Sequence, residues 1–262
     1  MRQLFRHSSI IAILFAAALS AAKAEELTSE HPLGAAERTS LCERFRRILD
    51  ETPPPDASTS DSVSAHSRRG DALFFLAEYK PAVDEYQAMV RLDPKLDTSH
   101  WRLGIALYFA GQPKAAAEQF DKYRSFDDVD RENGIWRFLC HHRAFGAERA
   151  AKELLRYAKD DREPFPVVYR LFDGSLTPEE ALKRIPETLP AIERDKQLFY
   201  TELYIGMLKT VQGDTAAAQM NLHHATSRKW PRTAGFGPNY MWHVARLQWN
   251  ELAAKNAKTD HP

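Results

Sequence analysis

The 262-residue sequence lacks the motifs that mark the common catalytic sites. It holds no G-x-S-x-G nucleophile elbow, no H-E-x-x-H zinc motif and no phosphate-binding P-loop. Its carboxylates are scattered in the manner of solvated helix faces rather than gathered in a motif. We therefore predict that the protein is not an enzyme, has no catalytic residues and needs no cofactor.

A metal-ligand pattern is also missing. The sequence contains adjacent histidine pairs at 141–142 and 223–224. Neighbouring residues on a helix point about 100° apart, so neither pair can chelate a metal alone. His100 or His243 could complete a site only if the fold brought them to a pair. We predict no metal, with a metal-dependent enzyme as a distant alternative.

Neither sign of charge is in excess. Lys plus Arg and Asp plus Glu number 36 each. The first 24 residues hold Arg2, Arg6 and Lys23 and no acid, so the remainder carries a formal net charge of −3. This mild balance gives no reason to expect nucleic acid or an anionic membrane surface as a partner.

Only one long apolar run occurs, and it lies near the amino terminus. It spans 10–19, follows the basic residues Arg2 and Arg6, and precedes an A-x-A site at 22–24. This is the pattern of a secretory signal peptide over 1–24, cut after Ala24. The run is too short for a stable transmembrane helix, although an uncleaved anchor is the alternative. We predict a periplasmic or secreted protein with no stable membrane insertion after cleavage.

Cysteine is scarce, with Cys42 and Cys140 alone. Two cysteines of an exported chain can pair. A bridge here would tie an N-terminal helix to the middle of the chain. The alternative is two buried, unpaired thiols that pack as small apolar side chains.

The sequence does contain an internal repeat. Gly70 and Gly104 lie 34 residues apart, and Ala82 and Tyr86 recur in step as Ala116 and Phe120. A 34-residue period of this kind is typical of helix–turn–helix units. Such a unit cannot bury its apolar face alone, so the pattern predicts stacked units and an extended concave surface.

The repeat organises most of the chain into one solenoid over 63–262. Repeats are predicted near 63–96, 97–131, 132–163 and 199–230, with an insert at 164–198 and a half-polar C-terminal capping helix over 239–256. An N-terminal helix and a Pro/Ser-rich linker fill 25–62. No stretch alternates with period two, so the fold class is all-α. The residues predicted to pack the repeats are Gly70, Ala82, Tyr86, Gly104, Gly111, Ala116, Phe120, Gly206, Gly213 and Ala218.

These glycines, alanines and aromatics resemble the tetratricopeptide repeat. The resemblance covers 63–160 and 199–228 and implies a right-handed solenoid of about four repeats with a capping helix at each end. The order of the parts, with a capped helix start at 177–180 before a late fourth repeat, is similar to new lipoprotein I of Gram-negative envelopes. Proteins of that kind are adaptors that dock peptidoglycan hydrolases and a protease, without an active site. This chain has no lipobox cysteine, so their membrane anchor is not implied.

The resemblance also implies a binding groove, because the first helix of each tetratricopeptide pair lines the concave surface. The groove positions fall on Phe74, Trp101, Tyr108, Trp136 and Arg143. Trp, Tyr and Arg dominate binding energies at interfaces, so Trp101 and Trp136 are predicted anchors. The alternative is that both tryptophans pack between helices as core.

We expect an exported, non-enzymatic scaffold that docks protein partners in its preformed groove. The alternative is a small-molecule or glycan binding protein that uses the same aromatic groove. The partner's identity does not follow from the sequence, and a homodimer is compatible with it.

Overall fold

A computed structural model describes residues 30–55, 60–159 and 161–259. These ranges contain helices and turns but no β-strand, which confirms the all-α class. The predicted signal peptide lies outside the described residues. The α-helices are α1 (Ala35–Glu51), α2 (Ser60–Phe75), α3 (Tyr79–Leu92), α4 (Trp101–Phe109), α5 (Pro113–Tyr123), α6 (Arg131–Phe145), α7 (Ala147–Lys152), α8 (Phe165–Phe172), α9 (Pro178–Lys183), α10 (Ala191–Gln212), α11 (Thr215–Ser227) and α12 (Phe236–Thr259).

Consecutive helices pack against each other along the chain, as a helical solenoid requires. The pairs are α2 with α3, α4 with α5, α6 with α7, and α10 with α11. Short 3-10 helices at Pro94–Ser99 and Trp230–Arg232 connect α3 to α4 and α11 to α12. None of the helices in the described ranges has the length and apolarity needed to cross a membrane.

Glycine allows the helices of a pair to approach closely. A Cβ atom added to Gly104 would lie 2.5 Å from the Phe120 ring, and one added to Gly70 would lie 2.5 Å from the Tyr86 ring. Gly206 stands in the same relation to a leucine in α11, at 2.6 Å. The helix backbones can be this close only because no side chain separates them.

The other repeat-packing positions lie at the contacts and turns of the pairs. Ala82, Ala116 and Ala218 are fully buried. Gly111 and Gly213 hold φ angles of +73° and +80° at the turns within two pairs, a conformation that glycine adopts without steric cost.

Replacing Gly104 by alanine is expected to lower the free energy of unfolding by about 1–2 kcal/mol, because the new methyl group overpacks against the Phe120 ring. The melting temperature should fall by about 3–6 °C. Gly34→Ala is the control, since a Cβ atom there meets nothing within 4 Å. Equal melting temperatures for the two variants would contradict the close approach.

The third pair is irregular, because α7 ends after six residues. Tyr157, which follows in an irregular connection, packs on Gly134 of α6 in place of a second-helix side chain. Beyond it the insert region contains α8, α9 and the start of α10. The predicted capped start is present: Thr177 Oγ1 accepts from the Glu180 backbone N–H at 3.2 Å, and Glu180 Oε2 accepts from the Thr177 N–H at 2.8 Å.

The C-terminal helix is not the half-exposed cap that the sequence predicts. Every residue from 240 to 249 is buried, so α12 is covered on all sides along its middle. Its polar residues misled the prediction because they find partners inside. Arg246, for example, donates to the Phe75 carbonyl of α2 at 2.7 Å. α12 is therefore a core helix.

Candidate functional site

The predicted concave groove is filled by the protein's own C-terminal helix. Tyr240 of α12 stacks on Phe74 of α2 at 5.0 Å between ring centroids, and it meets Trp101 of α4 edge-on at 4.9 Å. One turn further along, the His243 ring lies 4.0 Å from Phe75 and 5.2 Å from Phe45 of α1. The first helices of the two best repeats thus bind α12 where the prediction placed an external peptide.

A buried polar network fixes α12 to these repeats. The Tyr240 hydroxyl lies 3.3 Å from that of Tyr86, which donates to Asp71 Oδ1 at 2.7 Å. Arg102 donates to the same carboxylate at 2.8 Å. Burial raises the pKa of Asp71, while the Arg102 charge opposes that rise.

The five predicted groove residues therefore have different surroundings. Phe74, Tyr108 and Trp136 are fully or almost fully buried, at 0%, 0% and 1% exposure. Arg143 is exposed and lies over the Tyr108 ring, with its Cζ 4.3 Å from the ring centroid. Trp101 is half-buried. An open groove lined by all five is wrong, because α12 covers most of it.

One cavity of about 380 Å³ remains between the solenoid and the start of α12. It brings the two predicted anchors, Trp101 and Trp136, to a common space. The remaining lining residues are Tyr123, Asp130, Glu132, Asn133, Arg162, Lys196, Tyr200, Trp230, Gly237, Pro238 and Met241. Three of the chain's five tryptophans thus line this cavity, which we call the Trp101–Trp136 cavity.

A compact ionic network forms the polar part of its wall. Arg162 donates to Glu132 Oε2 at 2.6 Å and lies 3.4 Å from Asp130 Oδ1. Tyr204 of α10 donates to Glu132 Oε1 at 2.5 Å. Asp130 caps α6 by accepting from the Glu132 backbone N–H at 2.9 Å, and it also accepts from the Asn133 amide at 2.5 Å.

These contacts set the ionisation of the cavity wall. Burial raises the pKa of Glu132 to about 7, although the Arg162 charge opposes the rise and Asp130 adds to it. Burial likewise raises the pKa of Asp130, against the effect of Arg162. Each of the two carboxyl groups already accepts hydrogen bonds at both oxygens. Their geometry is that of groups that hold the wall together.

Two further polar groups of the cavity lining have unused hydrogen-bonding capacity. Tyr200 is 5% exposed, and its hydroxyl makes no hydrogen bond within the part of the chain that the structure describes. The Lys196 ammonium group has only two long contacts, both 3.3 Å, to the carboxylate of Glu193. The cavity can therefore offer a hydroxyl and an ammonium group to a ligand.

The histidines of the described ranges have varied surroundings. No group of three or more His, Cys, Asp or Glu in the described ranges has metal-binding geometry. His141 instead sits in an ionic cluster, with Nδ1 3.0 Å from Glu153 and Nε2 3.3 Å from Asp121. His243 is buried against Phe45 and Phe75, and burial lowers its pKa.

The disulfide considered from the sequence is not formed. Cys42 is free and exposed on α1, whereas Cys140 is free and fully buried within α6. The two thiols thus occupy different environments, and burial raises the pKa of Cys140. Cys140 packs as a small core residue, as the alternative predicted for both thiols, whereas the exposed position of Cys42 contradicts that alternative.

Sequence reasoning missed the polar half of the cavity. Asp130 and Glu132 begin α6, and Arg162 comes from the connection before α8. The position of Asp130 could have been predicted, since an aspartate before an apolar helical pattern is a typical N-cap. Nothing local indicated that Lys196 and Tyr200 of α10 would meet these residues.

Comparison with known families matches part of the chain to a family model. The family model described as "bacterial transcriptional activator domain" matches residues 54–130. This range contains α2 to α5, the two regular helix pairs whose first helices contact α12. The match and the helical packing together identify this part of the chain as similar to a helical-repeat domain.

Proposed function

We propose that this chain is an exported, non-enzymatic binding protein that holds a small ligand in the Trp101–Trp136 cavity, on repeats of the tetratricopeptide kind. The observation that carries the proposal is the cavity itself. Its volume of about 380 Å³ lies within the roughly 300–1,000 Å³ of small-ligand pockets. Aromatic walls with a few converging polar groups are the usual composition of such pockets.

The filled groove favours a small ligand over an extended peptide. A peptide in the concave groove would have to displace α12, whose residues 240–249 are all buried. Displacement would expose that apolar surface to water at a large cost in free energy. A ligand that enters the existing cavity leaves α12 in place. The carboxylates of the wall hold Arg162 and cap α6, so we assign them a structural role rather than a catalytic one.

A library of small metabolites tested by thermal shift would examine this function. A ligand that binds the folded protein raises its melting temperature. We expect such shifts for the native protein and for Lys209→Ala, and a loss of the shift in Lys196→Ala. Both lysines lie on α10 and face an acidic side chain, but only Lys196 lines the cavity. Equal shifts in both variants would place the ligand elsewhere.

Docking of a protein partner is the second candidate function, in which the chain acts as an adaptor in the cell envelope without binding nucleic acid. An open hollow of about 850 Å³ beside the start of α10 favours it. Ile192, which is 72% exposed, lines this hollow together with Ala191, Trp230 and Ala234. A contiguous exposed apolar patch is typical of interaction surfaces.

Affinity capture would test the adaptor function. We expect Ile192→Asp to lose a captured protein partner and Phe126→Asp to retain it, since Phe126 is also exposed, at 60%, but does not line the hollow. Equal capture by both variants would exclude the hollow as the docking surface.

A further inference from the structure

We infer that the ligand of the Trp101–Trp136 cavity is an uncharged sugar of one or two rings. This inference rests on the proposed small-ligand function and adds the chemical class of the ligand. It follows from the charge, the aromatic surface and the hydrogen-bonding groups of the lining residues.

The charge of the lining favours a neutral ligand. The lining contains two acidic residues, Asp130 and Glu132, and two basic residues, Arg162 and Lys196, so its formal charges sum to zero. Arg162 is already paired with both carboxylates, and Lys196 faces Glu193. An anionic ligand would meet the two carboxylates, and a cationic ligand would meet the two bases. Neither an anionic nor a cationic ligand would find an unpaired charge of the opposite sign among the described lining residues.

The aromatic surface suits the flat apolar faces of a sugar ring. Trp101 and Trp230 are half-buried and Trp136 is almost fully buried, and their indole rings line the cavity from α4, the connection before α12 and α6. The face of an aromatic ring carries partial negative charge and attracts polarised C–H groups. The aliphatic C–H faces of a pyranose have this character.

The polar groups suit the hydroxyl edge of the same ring. A sugar hydroxyl both donates and accepts a hydrogen bond, so it needs partners of both kinds. In the cavity the Lys196 ammonium group can donate a hydrogen bond, and the Tyr200 hydroxyl can donate or accept one. The Asn133 side chain donates to Asp130 and thereby leaves its Oδ1 as an acceptor.

The volume limits the size of the ligand. About 380 Å³ lies near the lower end of the roughly 300–1,000 Å³ range of ligand pockets. One or two rings fit this space, whereas a longer oligosaccharide would extend out of the cavity.

Titration of the purified protein with named probes would test the ligand class. The sugars are glucose, N-acetylglucosamine, cellobiose and N,N′-diacetylchitobiose, and the charged probes are citrate and choline. We expect saturable binding of at least one sugar, measured by calorimetry and by tryptophan fluorescence, because three of the five tryptophans line the cavity.

Substitutions of lining residues would show whether the sugar binds in this cavity. Trp101→Ala should weaken sugar binding by about tenfold or more, as loss of an aromatic anchor does. Tyr200→Phe removes a hydroxyl without an internal partner, so it should fold normally and weaken binding roughly fivefold. Tyr169→Phe is the control, because its hydroxyl donates to the Leu155 carbonyl at 2.8 Å and does not line the cavity.

The outcomes separate this inference from the proposed function. Binding of citrate or choline, but of no sugar, with loss in Trp101→Ala would overturn the sugar class and leave the small-ligand function intact. Failure of every probe, together with no thermal shift across the metabolite library, would overturn both. If sugar binding is unchanged in both Trp101→Ala and Tyr200→Phe, the sugar binds outside this cavity and the inference is wrong.

Discussion

Replacing Trp242 by alanine is expected to lower the free energy of unfolding by about 3–5 kcal/mol, the range for large aromatic side chains in a core. Trp242 is 1% exposed, and its Nε1 donates to the Thr226 carbonyl of α11 at 2.8 Å. The variant loses the buried ring and leaves that carbonyl without its partner. For a chain of this size the melting temperature should fall by about 10 °C or more.

The control for this variant lies on the same helix. Phe236 begins α12 and is 54% exposed, so Phe236→Ala should change the free energy of unfolding by less than about 1 kcal/mol. Urea unfolding followed by circular dichroism would compare the two. Near-equal losses would mean that α12 is a peripheral cap, as the sequence predicted, rather than the core helix of the structure.

The position of α12 explains why the predicted groove is not open among the described residues. A stack of helix pairs curves and leaves a concave surface, which in this chain carries the aromatic rings of Phe74, Phe75 and Trp101. In this chain α12 covers it, with Tyr240 against Phe74 and Trp101, and His243 against Phe75. The Trp101–Trp136 cavity is what remains uncovered, near the first turn of α12.

Local patterns were sufficient to predict the helix pairs. The close approach of Gly104 to Phe120, and of Gly70 to Tyr86, is encoded by residue types at a fixed spacing along the chain. The capping box at 177–180 is likewise complete within four residues. Such features report on contacts between neighbours in sequence, which is why they could be recognised without a structure.

Long-range contacts could not be predicted in the same way. The hydrogen bond from Arg246 to the Phe75 carbonyl joins residues 171 positions apart. Without knowledge of such partners, polar residues of this helix such as Gln248 indicate an exposed face, and the sequence therefore predicted a cap. The same distinction between local and long-range contacts applies to the residues of the candidate site. Trp101 and Trp136 were found from the repeat, whereas Arg162 was missed because it lies at the end of the predicted third repeat, in the connection before α8, where no helical pattern places its side chain.

The second large effect is expected from the ionic network of the cavity. Arg162→Met should lower the free energy of unfolding by about 2 kcal/mol at pH 8, because Glu132 loses the cation that its carboxylate binds at 2.6 Å. A fully buried pair would lose about 3–5 kcal/mol. The effect is smaller here because 45% of the Arg162 side chain is exposed, although only 14% of Glu132 is.

This loss should depend on pH in a defined direction. Burial raises the pKa of Glu132 from its ordinary 4.5 to about 7 in the folded protein. Between these values Glu132 in the folded state holds a proton that the unfolded chain has released, so the contribution of Glu132 to stability falls as pH rises from about 4.5 to about 7. Removing Arg162 removes an influence that lowers this pKa, so the decline should continue to higher pH.

Urea unfolding at pH 5, 6.5 and 8 would measure this dependence. At pH 5 Glu132 of the Arg162→Met variant is protonated, so the loss should be smaller there than at pH 8. Adding Glu132→Gln replaces the carboxylate by an amide that cannot ionise. The double variant should therefore recover stability at pH 8 and lose most of the added pH dependence. Arg149→Met removes an exposed pair with Glu153 and should change the free energy of unfolding little at any pH, as surface pairs contribute about 0–1 kcal/mol.

A loss of stability in Arg162→Met that is equal at pH 5 and pH 8 would mean that the charge of Glu132 does not determine the stability of this wall. The destabilisation would then come from lost packing of the Arg162 side chain, whose Cζ lies 4.4 Å from the centroid of the Phe165 ring.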